Sequence, residues 1–247
     1  MFSESHCHLG DMSPENVKKA EDAGLTLMIT MRLDEVSTSV ALKLAKRHRS
    51  VRLSLAVHPW YSDEYTEETR GMFLDLAENP EVVAIGETGL DYTGRMNRQW
   101  VREELYVDKE VQRAVFKAHI KLASELKLPV IVHDRGDGQE ALDILEEINA
   151  IRAGAIIHGF AKDEAYARRC EELGIHFSLG LRTLQTMPAG FEAAVKRTPM
   201  RLIVTETDSN KPWDVIKTCE IIGKVKGLTT EEVGSRATNN LKRLTRQ

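Results

Sequence analysis

The sequence predicts an α/β fold, a (β/α)8 (TIM) barrel, on three observations. Short apolar runs alternate with amphipathic runs along the whole chain. Eight of those runs are strand candidates, each followed by a helical stretch or a loop. No proline-rich or glycine-rich linker divides the 247 residues, a length at which α/β barrels commonly form one domain, so 1–247 reads as one unit. An open doubly wound sheet is the competing arrangement.

The strand candidates are Phe2–His8, Leu25–Met31, Val51–His58, Val82–Glu87, Val130–His133, Ala155–His158, His176–Leu179 and Leu202–Asp208. Ser13 and Pro14 read as an N-cap followed by proline at the first helical position. Val111, Val115, Ala118, Leu122 and Leu126 recur every three or four residues and predict one apolar helix face. Val215, Cys219 and Ile222 mark another helix. The last opens with Thr229-x-x-Glu232, a capping box, and carries Val233, Ala237, Leu241 and Leu244 on one side. The longest irregular stretch, Thr93 to Val107, directly follows the fourth strand.

Composition narrows the class. Hydrophobic residues at 42% allow a sizeable core, which excludes disordered, collagen-like and disulfide-scaffold chains. A net charge of −4 argues against a protein that grips nucleic acid by bulk positive charge. It leaves open an enzyme that meets phosphates at a metal site. Glu4, His6 and His8 stand where the apolar core of a signal peptide would lie, and no apolar run approaches the ~18–20 residues of a membrane helix. The expectation is a cytoplasmic protein with no membrane partner. Cys7, Cys170 and Cys219 are odd in number and far apart, so they read as reduced thiols. Strand alternation points Cys7 away from its two histidine neighbours.

The chemistry-bearing residues fall at one end of each βα unit. His6 and His8 end the first strand, His58 the third, Glu87 the fourth, His133 the fifth, His158 the sixth, and Glu206 and Asp208 the eighth. In a barrel these C-terminal ends form the active-site face. Residues two apart on a strand face the same way, so His6 with His8, and Glu206 with Asp208, could each chelate an ion. Imidazoles mixed with carboxylates suit zinc, manganese, iron or nickel better than calcium. The donors exceed what one tetrahedral ion needs, which predicts two ions with a carboxylate between them. One His-x-His would carry little weight, but five of the eight histidines lie at such strand ends. The 93–107 loop adds Arg95, Arg98 and Arg102 interleaved with Tyr92, Trp100 and Tyr106, a pattern suited to single-stranded nucleic acid, although Glu103 and Glu104 dilute its charge.

At these residues the chain resembles the TatD family of metal-dependent hydrolases, within the wider amidohydrolase-like barrels. The resemblance runs nearly end to end, through Ser5-His6-Cys7-His8-Leu9, Val57-His58-Pro59, Ala84-Ile85-Gly86-Glu87-Thr88-Gly89-Leu90-Asp91-Tyr92, Leu128 to Arg135, Ile157-His158-Gly159-Phe160, Thr205 to Ser209 and Thr238 to Leu244. It implies one divalent ion held by His6, His8, Glu87 and Asp208, and a second by Glu87, His133 and His158, with Glu87 bridging. Zinc, manganese or magnesium would serve. Catalytic roles fall to Asp208, which would orient metal-activated hydroxide, and to Glu87. His58 and Arg135 would face the substrate phosphate. Glu206 would stand on that substrate side, behind the ligands or as an additional one. The implied reaction is deoxyribonuclease chemistry, exonucleolytic on single-stranded or frayed DNA ends. The alternative keeps the metals but cleaves an amide, ester or lactone of a small molecule. A barrel that only binds is disfavoured by the retained ligands. The chain departs from the family pattern at Glu4, Gly10, His119, Gly159 and Asn210, near the pocket wall, so substrate choice is where it would differ.

Overall fold

The computed structural model describes residues 1–9, 14–32, 35–95, 101, 103, 107–148 and 153–247. Eight strands run β1 (Phe2–Cys7), β2 (Leu25–Arg32), β3 (Val51–Leu55), β4 (Val82–Asp91), β5 (Val130–Arg135), β6 (Ala155–His158), β7 (His176–Gly180) and β8 (Ile203–Glu206). Each pairs in parallel with the next, in sequence order. The ring is brought nearly closed by contacts between its two ends. Thr205 Oγ1 donates to the Ser3 carbonyl at 2.9 Å, and Asp208 N–H donates to the His6 carbonyl at 3.0 Å. This is the (β/α)8 barrel, not the open doubly wound sheet. Strands β4, β5, β6 and β8 open as unbroken apolar runs because both faces are covered, and β4 is buried throughout.

The covering helices are α1 (Pro14–Asp22), α2 (Glu35–Arg47), α3 (Glu67–Ala77), α4 (Lys109–Leu126), α5 (Glu140–Glu147), α6 (Glu164–Leu173), α7 (Leu181–Thr186), α8 (Phe191–Arg197), α9 (Val215–Lys226) and α10 (Thr230–Thr245). Helix α10 starts on the expected capping box, with Thr229 and Glu232 bonded reciprocally. Its Leu241 and Leu244 pack with Leu27, Ile29, Ile131, Ile156 and Val204 in the barrel interior. The interior is therefore a packed core, and its polar end is left to the site. Ser13 lies outside the described residues. Among those described, no helix is long and apolar enough to cross a membrane.

Helix α4 is turned slightly from the expected stripe. Val111 is exposed, while Gln112, Val115, Phe116, His119 and Ile120 are buried. Gln112 earns its burial by clamping the end of β4. Its Oε1 accepts the Asp91 N–H at 2.7 Å, and its Nε2 donates to the carbonyls of Asp91 and Val107 at 3.0 and 2.9 Å. His119 does the same for the segment after β3: its Nε2 accepts the Val57 N–H at 3.1 Å, while Nδ1 contacts the Val115 carbonyl at 2.8 Å.

This second clamp predicts an acid sensitivity. Burial pushes His119 down to about 4. Between the ordinary value near 6.5 and about 4 the unfolded chain takes a proton that the folded chain refuses, so stability present above that window is lost as pH falls. By pH 4.5 the loss from this ring is about 2 kcal/mol. In urea titrations at pH 7.5 and 4.5, His119→Gln, which keeps an acceptor for Val57, should show an acid loss smaller by that amount. An identical loss in both proteins would contradict the assignment.

Candidate metal centre

Strand ends far apart in sequence converge on Glu87, whose side chain is buried among histidines. Glu87 Oε2 lies 3.4 Å from His6 Nε2. Glu87 Oε1 lies 2.6 Å from His133 Nδ1, 2.8 Å from His158 Nε2 and 3.5 Å from His58 Nε2. The two carboxylate oxygens thus face two different groups of rings. On the Oε2 side, Asp208 Oδ1 stands 3.5 Å from His6 Nε2 and 3.0 Å from His8 Nε2. Burial alone would raise the Glu87 carboxyl, but His158, His6 and His58 overcome it and hold the group well below the carboxylate range. For Asp208, desolvation is likewise outweighed by the His8 hydrogen bond and by His6 and His158.

The rings are aimed by Asp91, Trp60, Glu206 and Ser178, of which only Glu206 is a candidate from the sequence. Asp91 Oδ2 is 2.9 Å from His133 Nε2, so His133 is held between two carboxylates with Nδ1 turned to Glu87. Trp60 fixes Asp91 in turn, donating from its indole Nε1 to the same oxygen at 2.8 Å. Glu206 stands behind His158: its Oε2 is 3.4 Å from His158 Nδ1 and accepts from Ser178 Oγ, and its Oε1 accepts the Gly159 N–H at 2.8 Å. Carboxylates behind ligating imidazoles set ring orientation and tautomer. Asp91 has a sequence signal, since its even spacing from Glu87 puts both on one strand face. Trp60 and Ser178 have none.

His58 differs from the other rings. Its Nδ1 accepts the Trp60 N–H at 3.1 Å, which places the ring proton on Nε2. Burial lowers its tendency to take a second proton. The side of His58 that faces Glu87 is therefore an N–H donor, even though His58, Glu87 and His133 are close enough to share an ion.

Two expectations about Glu206 change: its pairing with Asp208 and its place on the substrate side. Glu206 and Asp208 do not form a pair on one face. The strand β8 ends at Glu206, and Asp208 adopts a left-handed φ of 50°, which turns its carboxylate toward His6 and His8. Glu206 is 1% exposed with both oxygens engaged by protein groups, whereas the Asp208 side chain is 53% exposed. The Arg135 guanidinium lies along the β6 loop, donating to the carbonyls of Asp134 and Gly159 at 3.0 and 3.2 Å. Gly159 permits this: a Cβ there would stand 2.8 Å from Arg135 Nη2. Of the 93–107 loop, Arg95 stacks on Tyr61; Arg98, Trp100, Arg102, Glu104 and Tyr106 lie outside the described residues. Cys7 is buried and its Sγ meets the Ile29 carbonyl at 3.4 Å, away from the rings.

The donor set fits divalent metal. His6 is fully buried, and no hydrogen bond satisfies either of its ring nitrogens. Such a deficit is costly unless another acceptor of the lone pair is present. Burial and the neighbouring His158 push His6 down to about 4, so the ring is neutral, the form that ligates metal. His6, His8 and Asp208 converge closely enough to hold an ion, as do His6, His158 and Glu206.

The chain is similar to known proteins over most of its length. The family model described as TatD related DNase matches residues 4–246. A Bacillus subtilis (strain 168) protein named uncharacterized metal-dependent hydrolase YabD is 28% identical, covering 100% of this chain and 99% of its own. A 3'-5' ssDNA/RNA exonuclease TatD from Erwinia amylovora is 32% identical over 80% of this chain and 72% of that protein. The crystal structure of YJJV, a TatD homolog from Escherichia coli K12, superposes with a TM-score of 0.86 at 22% identity over 100% of this chain and 98% of that one, which speaks for the fold. With a whole-chain family match and the same barrel, this chain belongs to the TatD-related DNase family.

Proposed function

We infer that the chain is a metal-dependent phosphodiesterase that trims the ends of single-stranded DNA in the cytoplasm, using two divalent ions. The observation that carries this is the division of Glu87, one oxygen toward His6 and the other toward His133 and His158. His6, His8, Glu87 and Asp208 would hold one ion, and Glu87, His133 and His158 the other. When bound, zinc, manganese or magnesium ions supply Lewis acidity that polarises the phosphoryl group and acidifies water. The relative named as an ssDNA/RNA exonuclease supports the choice of substrate.

The chain's own groups then have separate tasks. Asp208, half-exposed at the cleft, orients the attacking water through a hydrogen bond and takes its proton on the carboxylate. His58 presents its Nε2 proton to a phosphate oxygen. Arg135, held by two backbone carbonyls and with no carboxylate partner among the described residues, keeps its charge available for the phosphate. Asp91 and Glu206 fix His133 and His158, so Glu206 acts through His158.

The test is a panel. Purified protein supplied with manganese should shorten a labelled single strand to mononucleotides and hydrolyse a small aryl phosphodiester, while amide and lactone substrates stay intact. Turnover of an amide or lactone with both phosphodiesters untouched would select the small-molecule reading instead.

A further inference from the structure

We propose that Tyr61 and Arg95 form a stacking platform for an unpaired nucleobase of the substrate, beside the phosphate site. The proposal rests on the phosphodiesterase reading above and adds to it a subsite for the base. The turn after β3 carries His58 into the site, and Tyr61 follows on the same turn with its ring centroid 6.4 Å from that of His58. Arg95, four residues past the end of β4, lays its guanidinium over the Tyr61 ring, with Cζ 4.1 Å from the centroid. Both side chains are half-buried on the face where the strand ends converge.

Charge pairing separates this stack from its neighbour. On the same rim Tyr92 also meets cations, Lys109 and Arg113. Those are neutralised: Lys109 by Asp137 at 2.7 Å, and Arg113 by Glu140 at 2.5 Å and by Glu110. Arg95 has no carboxylate within ion-pair distance among the described residues. Unlike Lys109 and Arg113, the Arg95 guanidinium is not turned toward a described carboxylate, and it lies on the ring that neighbours His58. Its plane has one face on Tyr61 and the other free of any ring among the described residues, the geometry on which a base stacks. A base held in a duplex already stacks on its neighbours, so the platform favours a single strand.

The experiment compares a fluorescein-labelled 12-mer single strand with an abasic strand of the same backbone. Binding is read by anisotropy in chelator, and KM with manganese added. Arg95→Ala and Tyr61→Ala should weaken the normal strand about tenfold or more and the abasic strand by no more than about twofold. Arg95→Lys, which keeps charge but loses the plane, should behave as Arg95→Ala, and Tyr61→Phe should restore binding. Thermal melts identify a variant that fails to fold, and Arg95→Lys and Tyr61→Phe keep the comparison informative in that event. Equal losses on both strands would reduce the platform to a phosphate contact and overturn the stacking. So would unchanged binding of the normal strand, even if the wild type cleaves DNA. Loss of base-dependent binding in a protein that cleaves no strand would instead sustain the platform and overturn the phosphodiesterase reading. A wild type that binds neither strand overturns both.

Discussion

Replacing Glu87 with Gln should cut phosphodiester turnover by about a thousandfold or more while leaving the barrel folded. The substitution is isosteric, so the packing of a residue that is only 7% exposed is preserved. What it removes is the charge against which His6, His58, His133 and His158 are arranged. An amide also offers one neutral acceptor oxygen and an NH2 with two donors where the carboxylate offers two anionic oxygens. The group facing the amide nitrogen would meet a donor and lose its place at the centre. Melting temperature separates this from unfolding. An unaltered rate in a folded Glu87→Gln protein would remove Glu87 from the reaction.

Asp208→Asn should be nearly as severe, about 10²- to 10⁴-fold in kcat with KM little changed. The carboxylate sits at the open side of the cleft and is not enclosed like Glu87. Its loss removes a proton acceptor while leaving His6, His8, Glu87, His133 and His158 in place, so part of the metal should be retained. Steady-state kinetics on the aryl phosphodiester measure the split. A large rise in KM at constant kcat would assign Asp208 to substrate binding instead.

The legible part of this molecule is the part carried by local pattern. Strand alternation and the recurrence of His or Glu at the ends of apolar runs locate the barrel and its polar end, because parallel strands bring their C-termini to one face. The illegible part depends on where each strand stops. Continuing β4 to Asp91, four residues past Glu87, brings in the carboxylate behind His133. Ending β8 at Glu206 and turning Asp208 into the left-handed region separates two acids that a regular strand would keep together. Trp60 reaches Asp91 only through the turn after His58, and Ser178 reaches Glu206 only across β7 and β8. On α4 the apolar spacing pointed to Val111, yet the polar Gln112 is buried because it satisfies three backbone groups at the end of β4 and the loop. Such contacts are set by tertiary register, which residue periodicity does not encode.

A two-ion centre divided across Glu87 can be counted. Metal content measured per chain after loading with manganese, for wild type beside Glu87→Gln, tests it most directly. Two equivalents are expected in the wild type and at most one in Glu87→Gln, with full-rate single-strand cleavage only in the first. Full cleavage by chelator-stripped wild type, or two equivalents retained by Glu87→Gln, would contradict it.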